Sequence, residues 1–366
     1  MIRLSTLVER FEAPLLAQYG DRLLPEQRQA LAALKTCRTA LSPRMEAHCP
    51  ACEERVFVPH SCGHRLCPHC QHHESQQWLE RQLEKLVPGD YFLLTFTLPA
   101  EFRALAFAHQ RVVYDALMQA AWQTLRSFSQ NDRHLQGTPG AIAVLHTHSR
   151  RLDFHPHVHR VMPAAALDCE QRLWRTKPGK RFLFSHKALA KVFRARMLEA
   201  MTAAELTLPV RHPGQWVVDC KPVGSGEKAL VYLGRYLYRG VLQEQDILAC
   251  EDGQVTFRYQ DAKTRRRQTR TLAGADFLWL LLQHVLPRGF RRARHFGFLH
   301  PNSKRLLELL RLLLKFAPGR TGAWVRPRPA LTCPGCGGNM VIIRTRIRPL
   351  PWRPDPIDAV EGTLAM

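Results

Sequence analysis

Residues 141–163 read AIAVLHTHSRRLDFHPHVHRVMP, and the reading of this stretch decides the fold. Ile142, Val144 and Leu145 give the first part the β-branched, apolar character of a strand, and Val158, Val161 and Met162 do the same for the second. Side chains alternate along a strand, so His157 and His159 share one face of the second strand, and His146 lies on one face of the first. Paired as a hairpin, the two strands bring three imidazoles to one point. Three neutral imidazoles around a common centre make a metal site with positions left open for a substrate. His148 shares the face of His146 and is the alternative ligand, while His155 shares the face of His157 and can orient it from behind. Five histidines between residues 146 and 159 are hard to ascribe to a hydrophobic sheet, which gains little from polar rings.

The rest of the 366-residue chain frames this hairpin. Its length suffices for one large core or two smaller ones. Lys and Arg number 53 against 31 Asp and Glu, a formal net charge of +22 that a compact fold must support against its own repulsion. A polyanion is the natural counterpart, which makes nucleic acid the leading partner class. The first twenty residues lack both the apolar run and the cleavage site of a secretory leader. The runs FLWLLLQHVL and LLELLRLLLKF are too short or too charged to span a bilayer, so no membrane partner is expected. The expected location is the cytoplasm, in association with nucleic acid.

Seven of the 11 cysteines fall in two places that carry CxxC knuckles. Residues 49–70 read CPACEERVFVPHSCGHRLCPHC, in which Cys49 and Cys52 form one knuckle and Cys67 and Cys70 another. Four thiolates at this spacing fit a tetrahedral structural Zn²⁺, with residues 56–58 as a short strand between them. Cys62 is a fifth thiol that can replace one of the four, and His48, His60, His64 and His69 are further substitutes. Near the other end, Cys333 and Cys336 form a single knuckle without an obvious partner pair.

Elsewhere the pattern alternates between helix and strand. Helical periodicity covers residues 1–40, with Pro25 opening the second helix, and residues 75–88 form a helix closed by Pro88. YFLLTFTLP, residues 91–99, is a buried strand, followed by a long helix over 101–129. After the histidine strands come a helix within 182–207, a strand over 215–223, a helix over 227–241, and short strands at 247–250 and 255–259. This interleaving gives an α+β or α/β domain over 89–300; in the α+β form, a central antiparallel sheet carries flanking helices. The expected organisation is a helical segment (1–40), a zinc-binding domain (41–88), a catalytic domain (89–300) and a C-terminal region (301–366). The proline-rich end, residues 347–366, is expected to be disordered.

The helix EKALVYLGRYLYRGV, residues 227–241, is the second chemical constellation. At ~100° per residue, Leu230, Leu233, Leu237 and Val241 form an arc that packs on a sheet. Tyr232 and Tyr236 stand four apart on the opposite arc with Arg235 and Arg239 beside them, while Tyr238 projects away from the pair. A tyrosine pair that faces away from the apolar arc and is flanked by arginines suits a phosphodiester. Two further basic runs supply phosphate contacts: KTRRRQTR with Arg265, Arg266 and Arg267, and RGFRRARH with Arg291 and Arg292.

Taken in order, the cysteine knuckles, YFLLTFTLP, LHTHSRRLDFHPHVHRVMP, YLGRYLYR and HVLPRGFRRARHFGFL resemble the two-tyrosine rolling-circle transposases of bacterial insertion sequences. These belong to the His-hydrophobe-His superfamily of single-strand nicking enzymes, together with relaxases and replication initiators. The resemblance covers residues 49–314. It implies a palm-like catalytic core in which His157 and His159, flanking Val158, bind Mg²⁺ or Mn²⁺ together with His146. It implies that Tyr232 and Tyr236 are the nucleophiles, that the cysteine module is the N-terminal zinc-binding domain, and that single-stranded element ends are the DNA partner. Arg235 and Arg239 would then favour the phenolate. The chain departs from the family in having Ala164, Ala165 and Ala166 where a glycine run is frequent, and Tyr238 where a histidine is commoner. A zinc hydrolase built on the histidine cluster is disfavoured, because no Glu general base stands beside it.

Overall fold

The computed structural model describes residues 2–70, 72–168, 170, 173–178, 182–238, 240–261, 264–316 and 330–348. The helices are α1 (Leu4–Tyr19), α2 (Pro25–Thr36), α3 (His72–Leu83), α4 (Arg103–Ala108), α5 (Gln110–Asn131), α6 (His186–Ala203), α7 (Glu227–Tyr238), α8 (Gly274–Leu282) and α9 (Lys304–Leu313). The strands are β1 (Arg44–His48), β2 (Arg55–Pro59), β3 (Tyr91–Thr97), β4 (Thr138–His148), β5 (Phe154–Pro163), β6 (Ala165–Asp168) and β7 (Leu173–Thr176). They continue with β8 (Val218–Pro222), β9 (Ile247–Glu251), β10 (Gln254–Gln260), β11 (Arg267–Ala273), β12 (Ala293–Gly297) and β13 (Val341–Ile347).

These elements fall into two units, one of residues 1–34 and 63–328, the other of residues 35–62 and 329–366. The division differs from the expected one. Residues 63–88 fall in the larger unit, and residues 330–348 join residues 35–62. The physical reason lies in strand pairing that sequence spacing does not reveal: β13 pairs antiparallel with β1.

The larger unit is built on a seven-stranded antiparallel sheet in the order β7-β6-β4-β5-β3-β8, with β12 also paired to β4. The expected α+β class and antiparallel sheet are what the chain adopts. Alternation in β3, β4 and β5 sends Phe92, Leu94, Phe96, Ala143, Leu145, Val158 and Met162 to one face, where α5 and α6 cover them through Leu117, Ala121, Phe193 and Met197. Tyr91, Ile142, Val144 and Val161 go to the other face, beneath α3 and α7 with Trp78, Leu79, Leu230, Leu233 and Leu237. Both faces are therefore buried, which explains why these strands read as near-continuous apolar runs.

Some local details depart from the sequence reading. The helix expected over 101–129 is interrupted at His109, whose backbone (φ −123, ψ 47) separates α4 from α5. The helical stretch within 182–207 settles to α6. The strands β6, β7, β11 and β12 carry too little apolar signal to be recognised, and β11 begins within the basic run that reads as phosphate contacts. Gly297, at the end of β12, has φ +60, and a Cβ there would collide with the Pro139 carbonyl oxygen. The close approach of β12 to β4 thus requires glycine at this position.

A second sheet, β11-β10-β9, lies in the same unit, and its Phe257 contacts Phe277 of α8. The apolar α8 is buried between this sheet and α1, where Trp279 stacks on Tyr19 with ring centroids 4.8 Å apart. No helix among the described residues is long and apolar enough to cross a membrane. The smaller unit is a three-stranded sheet in the order β13-β1-β2 with a very small core of Ala47, Cys49, Cys333 and Met340. The proline-rich end lies outside the described residues beyond Arg348.

Candidate active site: three imidazoles facing a tyrosine helix

The hairpin of β4 and β5 forms as the alternation predicts. His146 pairs directly with His157, and Val144 with His159, so the three imidazoles share the face under α7. One ligand atom from each of His146, His157 and His159 can be chosen so that all lie within 4.8 Å of one another. Between His146 and His148 the register slips, so that His148 stands opposite Phe154. A slip of this kind re-aims a side chain. His148 turns to stack on Tyr236 and lies 5.2 Å from His284, outside the histidine cluster.

Hydrogen bonds orient two of the three rings. The Nδ1 of His157 lies 2.7 Å from the carbonyl oxygen of His155, which can only accept, so Nδ1 carries the proton. His155 therefore orients His157 through its backbone, while its own ring lies 3.0 Å from Arg103. The Nδ1 of His159 lies 2.9 Å from the Thr95 hydroxyl on the neighbouring strand β3. Both contacts leave Nε2 available. The third ring, His146, keeps its Nε2 buried with no hydrogen-bond partner.

Burial, reinforced by the neighbouring imidazoles, pushes His146 and His157 well below the usual histidine range, and burial lowers His159 to about 4. Three neutral nitrogen donors, one of them an orphaned buried atom, fit a divalent cation with positions left open.

The tyrosine helix lies over this cluster. Tyr232 is 45 % exposed, and its ring centroid stands 6.0 Å from that of His146 and 5.8 Å from that of His159. Tyr236, one turn on, lies parallel against His146, and its hydroxyl accepts the Thr147 backbone N–H at 3.0 Å. Burial raises the pKa of both phenols. Arg150 opposes the rise at Tyr232, and Arg292 together with the backbone N–H groups opposes it at Tyr236. Tyr238 points elsewhere, against Trp78 of α3.

Of the two arginines expected beside the tyrosines, only one lies among the described residues. Arg235 is exposed, and Arg239 lies outside the described residues. Arg292, read from sequence as a phosphate contact, is instead part-buried, with its guanidinium 4.6 Å from the centre of the Tyr236 ring. Its Nε donates to the Leu145 carbonyl at 3.0 Å. Arg291 is exposed, and so are Arg265, Arg266 and Arg267 at the turn from β10 into β11. From that sheet, Arg270 reaches Asp153 at 2.8 Å and braces the β4–β5 turn.

Sequence reading missed Thr95, Arg150 and His284, and the place of Arg292 against Tyr236. Thr95 sits one strand away, and its signal, a threonine in an otherwise apolar central strand, was present but weak.

The cysteines regroup. The Sγ atoms of Cys49 and Cys52 cluster with those of Cys333 and Cys336, not with those of Cys67 and Cys70. Cys67 and Cys70 are both buried in the larger unit. The expected four-thiolate set of Cys49, Cys52, Cys67 and Cys70 is therefore corrected, because β1 pairs with β13 and draws in the C-terminal knuckle.

The family described as “Putative transposase” matches residues 140–306, which hold both histidine strands and α7. The “Transposase zinc-binding domain” matches residues 7–98. A protein of Sinorhizobium fredii named putative transposase y4qJ is 34 % identical over 320 residues, covering 78 % of this chain and 79 % of that protein. This chain belongs to that insertion-sequence transposase family. The transposase for insertion sequence element IS801 of Pseudomonas savastanoi pv. phaseolicola is 30 % identical over 271 residues, covering 68 % of this transposase and 64 % of its relative. Among solved structures, TrwC complexed with a 27-mer DNA matches 62 % of the chain and 75 % of its own, at 13 % identity and a TM-score of 0.26.

Proposed function

We propose that this transposase nicks and rejoins single-stranded DNA through a 5′-phosphotyrosine intermediate, as rolling-circle transposition requires. The observation that carries the reading is the exposed Tyr232 beside three neutral imidazoles whose donor atoms converge. A Mg²⁺ or Mn²⁺ held by His146, His157 and His159 would polarise the scissile phosphate and share the charge of the transition state.

The chain's own residues do the rest. The Tyr232 oxygen attacks phosphorus and loses its proton, the P–O3′ bond breaks, and the leaving 3′ oxygen gains a proton. The phosphodiester energy is kept in the tyrosyl ester, so the step can be reversed onto another 3′-OH. Arg150 favours the Tyr232 phenolate against the cost of burial. Tyr236, whose hydroxyl is held by the Thr147 N–H, suits a second transfer that follows displacement of this contact. The exposed arginines of the β10–β11 turn and Arg291 provide phosphate contacts along a single strand, and the net charge of +22 supports a polyanionic partner.

The test is incubation with a labelled single-stranded oligonucleotide library and Mn²⁺, followed by denaturing electrophoresis and mass spectrometry of the trimmed adduct. A DNA–peptide adduct on Tyr232 or Tyr236 supports the reading. Binding without any adduct would mark the chain as a DNA-binding derivative that has lost the chemistry.

A further inference from the structure

The smaller unit contains two copies of one backbone motif. In the first, the Cys49 N–H donates to the Glu54 carbonyl at 2.8 Å, and the Glu53 N–H donates back to the Cys49 carbonyl at 2.9 Å. In the second, the Cys333 N–H donates to the Gly338 carbonyl at 2.8 Å, and the Gly337 N–H donates back to the Cys333 carbonyl at 2.9 Å. The offsets from the leading cysteine are the same in both. So is the left-handed residue that closes each turn, Glu53 at φ 59 and Gly337 at φ 74. The flanking pairs correspond as well: His48 opposite Arg55, and Thr332 opposite Asn339. In each knuckle the first cysteine is buried and the second exposed.

The two knuckles face one another. Sγ of Cys49 lies 3.5 Å from Sγ of Cys336, and Sγ of Cys52 lies 3.5 Å from Sγ of Cys333. A disulfide would hold its sulfurs at about 2.05 Å. Four thiolates around a tetrahedral zinc, with Zn–S near 2.3 Å, stand roughly 3.8 Å apart. The spacing here is that of ligands. Gly338 leaves room for them, since a Cβ there would lie 3.3 Å from Sγ of Cys336 and 3.7 Å from Sγ of Cys49. The core of this unit holds only four buried apolar side chains among its described residues, too few to close a sheet without a staple.

We infer that Cys49, Cys52, Cys333 and Cys336 bind one structural Zn²⁺, so that the C-terminal knuckle is half of a zinc ribbon whose other half lies near the N-terminus. The matched zinc-binding family region, residues 7–98, contains Cys49 and Cys52 but neither Cys333 nor Cys336. The ribbon assigns the second knuckle its metal and gives β13 its place beside β1.

Zinc content of the full chain tests the assignment. The double variants Cys49→Ser/Cys52→Ser and Cys333→Ser/Cys336→Ser should each lose one equivalent of zinc, and the fourfold variant should lose no more than either. Because a variant can misfold, thiol protection in the unaltered, zinc-loaded chain supplies a second readout. During titration with a chelator, all four thiols should become open to alkylation together. Zinc content unchanged in the Cys333/Cys336 variant overturns the assignment, as does a further equivalent lost by the fourfold variant. Alkylation of Cys333 and Cys336 while Cys49 and Cys52 stay protected overturns it equally.

Discussion

The ring of Tyr236 lies parallel against the imidazole of His146, with its hydroxyl tied to the Thr147 backbone, while Tyr232 one turn earlier is open to solvent over the same histidines. Two tyrosines on one helix face are thus held in different states. Tyr232→Phe should lower the first nick on the order of 10³-fold or more, as loss of a nucleophile does. Tyr236→Phe should leave that nick within about tenfold and impair strand transfer. Tyr238→Phe should nick normally, and the Tyr232/Tyr236 double variant should form no adduct. Single-turnover cleavage and adduct mapping measure these outcomes, and an adduct on Tyr238 would refute the assignment.

The imidazole cluster predicts a graded response to substitution. His146→Ala, His157→Ala or His159→Ala should remove Mn²⁺ binding, read by titration calorimetry, with circular dichroism unchanged. His148→Ala should retain binding, since that ring stacks on Tyr236 away from the cluster. Thr95→Val keeps the size of the side chain and removes the hydroxyl beside His159, so affinity should drop about 10–100-fold. Mn²⁺ affinity that survives His146→Ala but not His148→Ala would reverse the choice of third ligand.

Stability should fall on acidification below pH 6.5. His284 is buried and lowered to about 4. Its Nε2 donates to the Leu152 carbonyl, and Nδ1 has no partner; His148, Arg292 and Asp153 surround it. His295 is also lowered to about 4, by burial first and then by Lys85 and His300, and it contacts the Gln82 side chain. Both folded values lie below the unfolded value, so the unfolded chain binds more protons between pH 6.5 and 4. Each group therefore removes up to ~1.4 kcal/mol per pH unit as pH falls through that window. The thermal midpoint should decline there, and His284→Gln should flatten the decline. A midpoint that is level from pH 6.5 to 4 would contradict this.

Single-strand binding should weaken with salt. If Arg265, Arg266 and Arg267 each contact a phosphate, changing all three to Ala should reduce the slope of log K against log salt by about 2, at roughly 0.7 per contact. Fluorescence anisotropy on a labelled oligonucleotide reads the slope. An unchanged slope, or a preference for duplex, would remove this turn from the DNA path.

The sequence made the face that carries the histidines and tyrosines legible because the decisive signals are local. Alternation placed His157 and His159 together, and helical spacing placed Tyr232 and Tyr236 together while turning Tyr238 away. What remained hidden depends on pairing between distant segments. Thr95 reaches His159 only because β3 adjoins β5, and Arg292 reaches Tyr236 only because the segment before β12 returns beside β4. Arg292 read as one of a run of phosphate contacts because nothing in RGFRRARH distinguishes a buried guanidinium from a solvated one. The partner of Cys49 and Cys52 was misjudged for a related reason. Nearness along the chain favoured Cys67 and Cys70, whereas strand pairing selected Cys333 and Cys336.

The pairing of β1 with β13 also has a consequence in time. Cys52 and Cys333 are 281 residues apart, and a ribosome adding about 5–20 residues per second needs roughly 15–60 s to travel from one to the other. During that interval residues 63–328 emerge and can fold before the second knuckle has been made. A chain released early would carry His146, His157, His159 and both tyrosines but would lack the strand that completes the smaller sheet. Completion of that sheet therefore reports that translation has passed the larger unit.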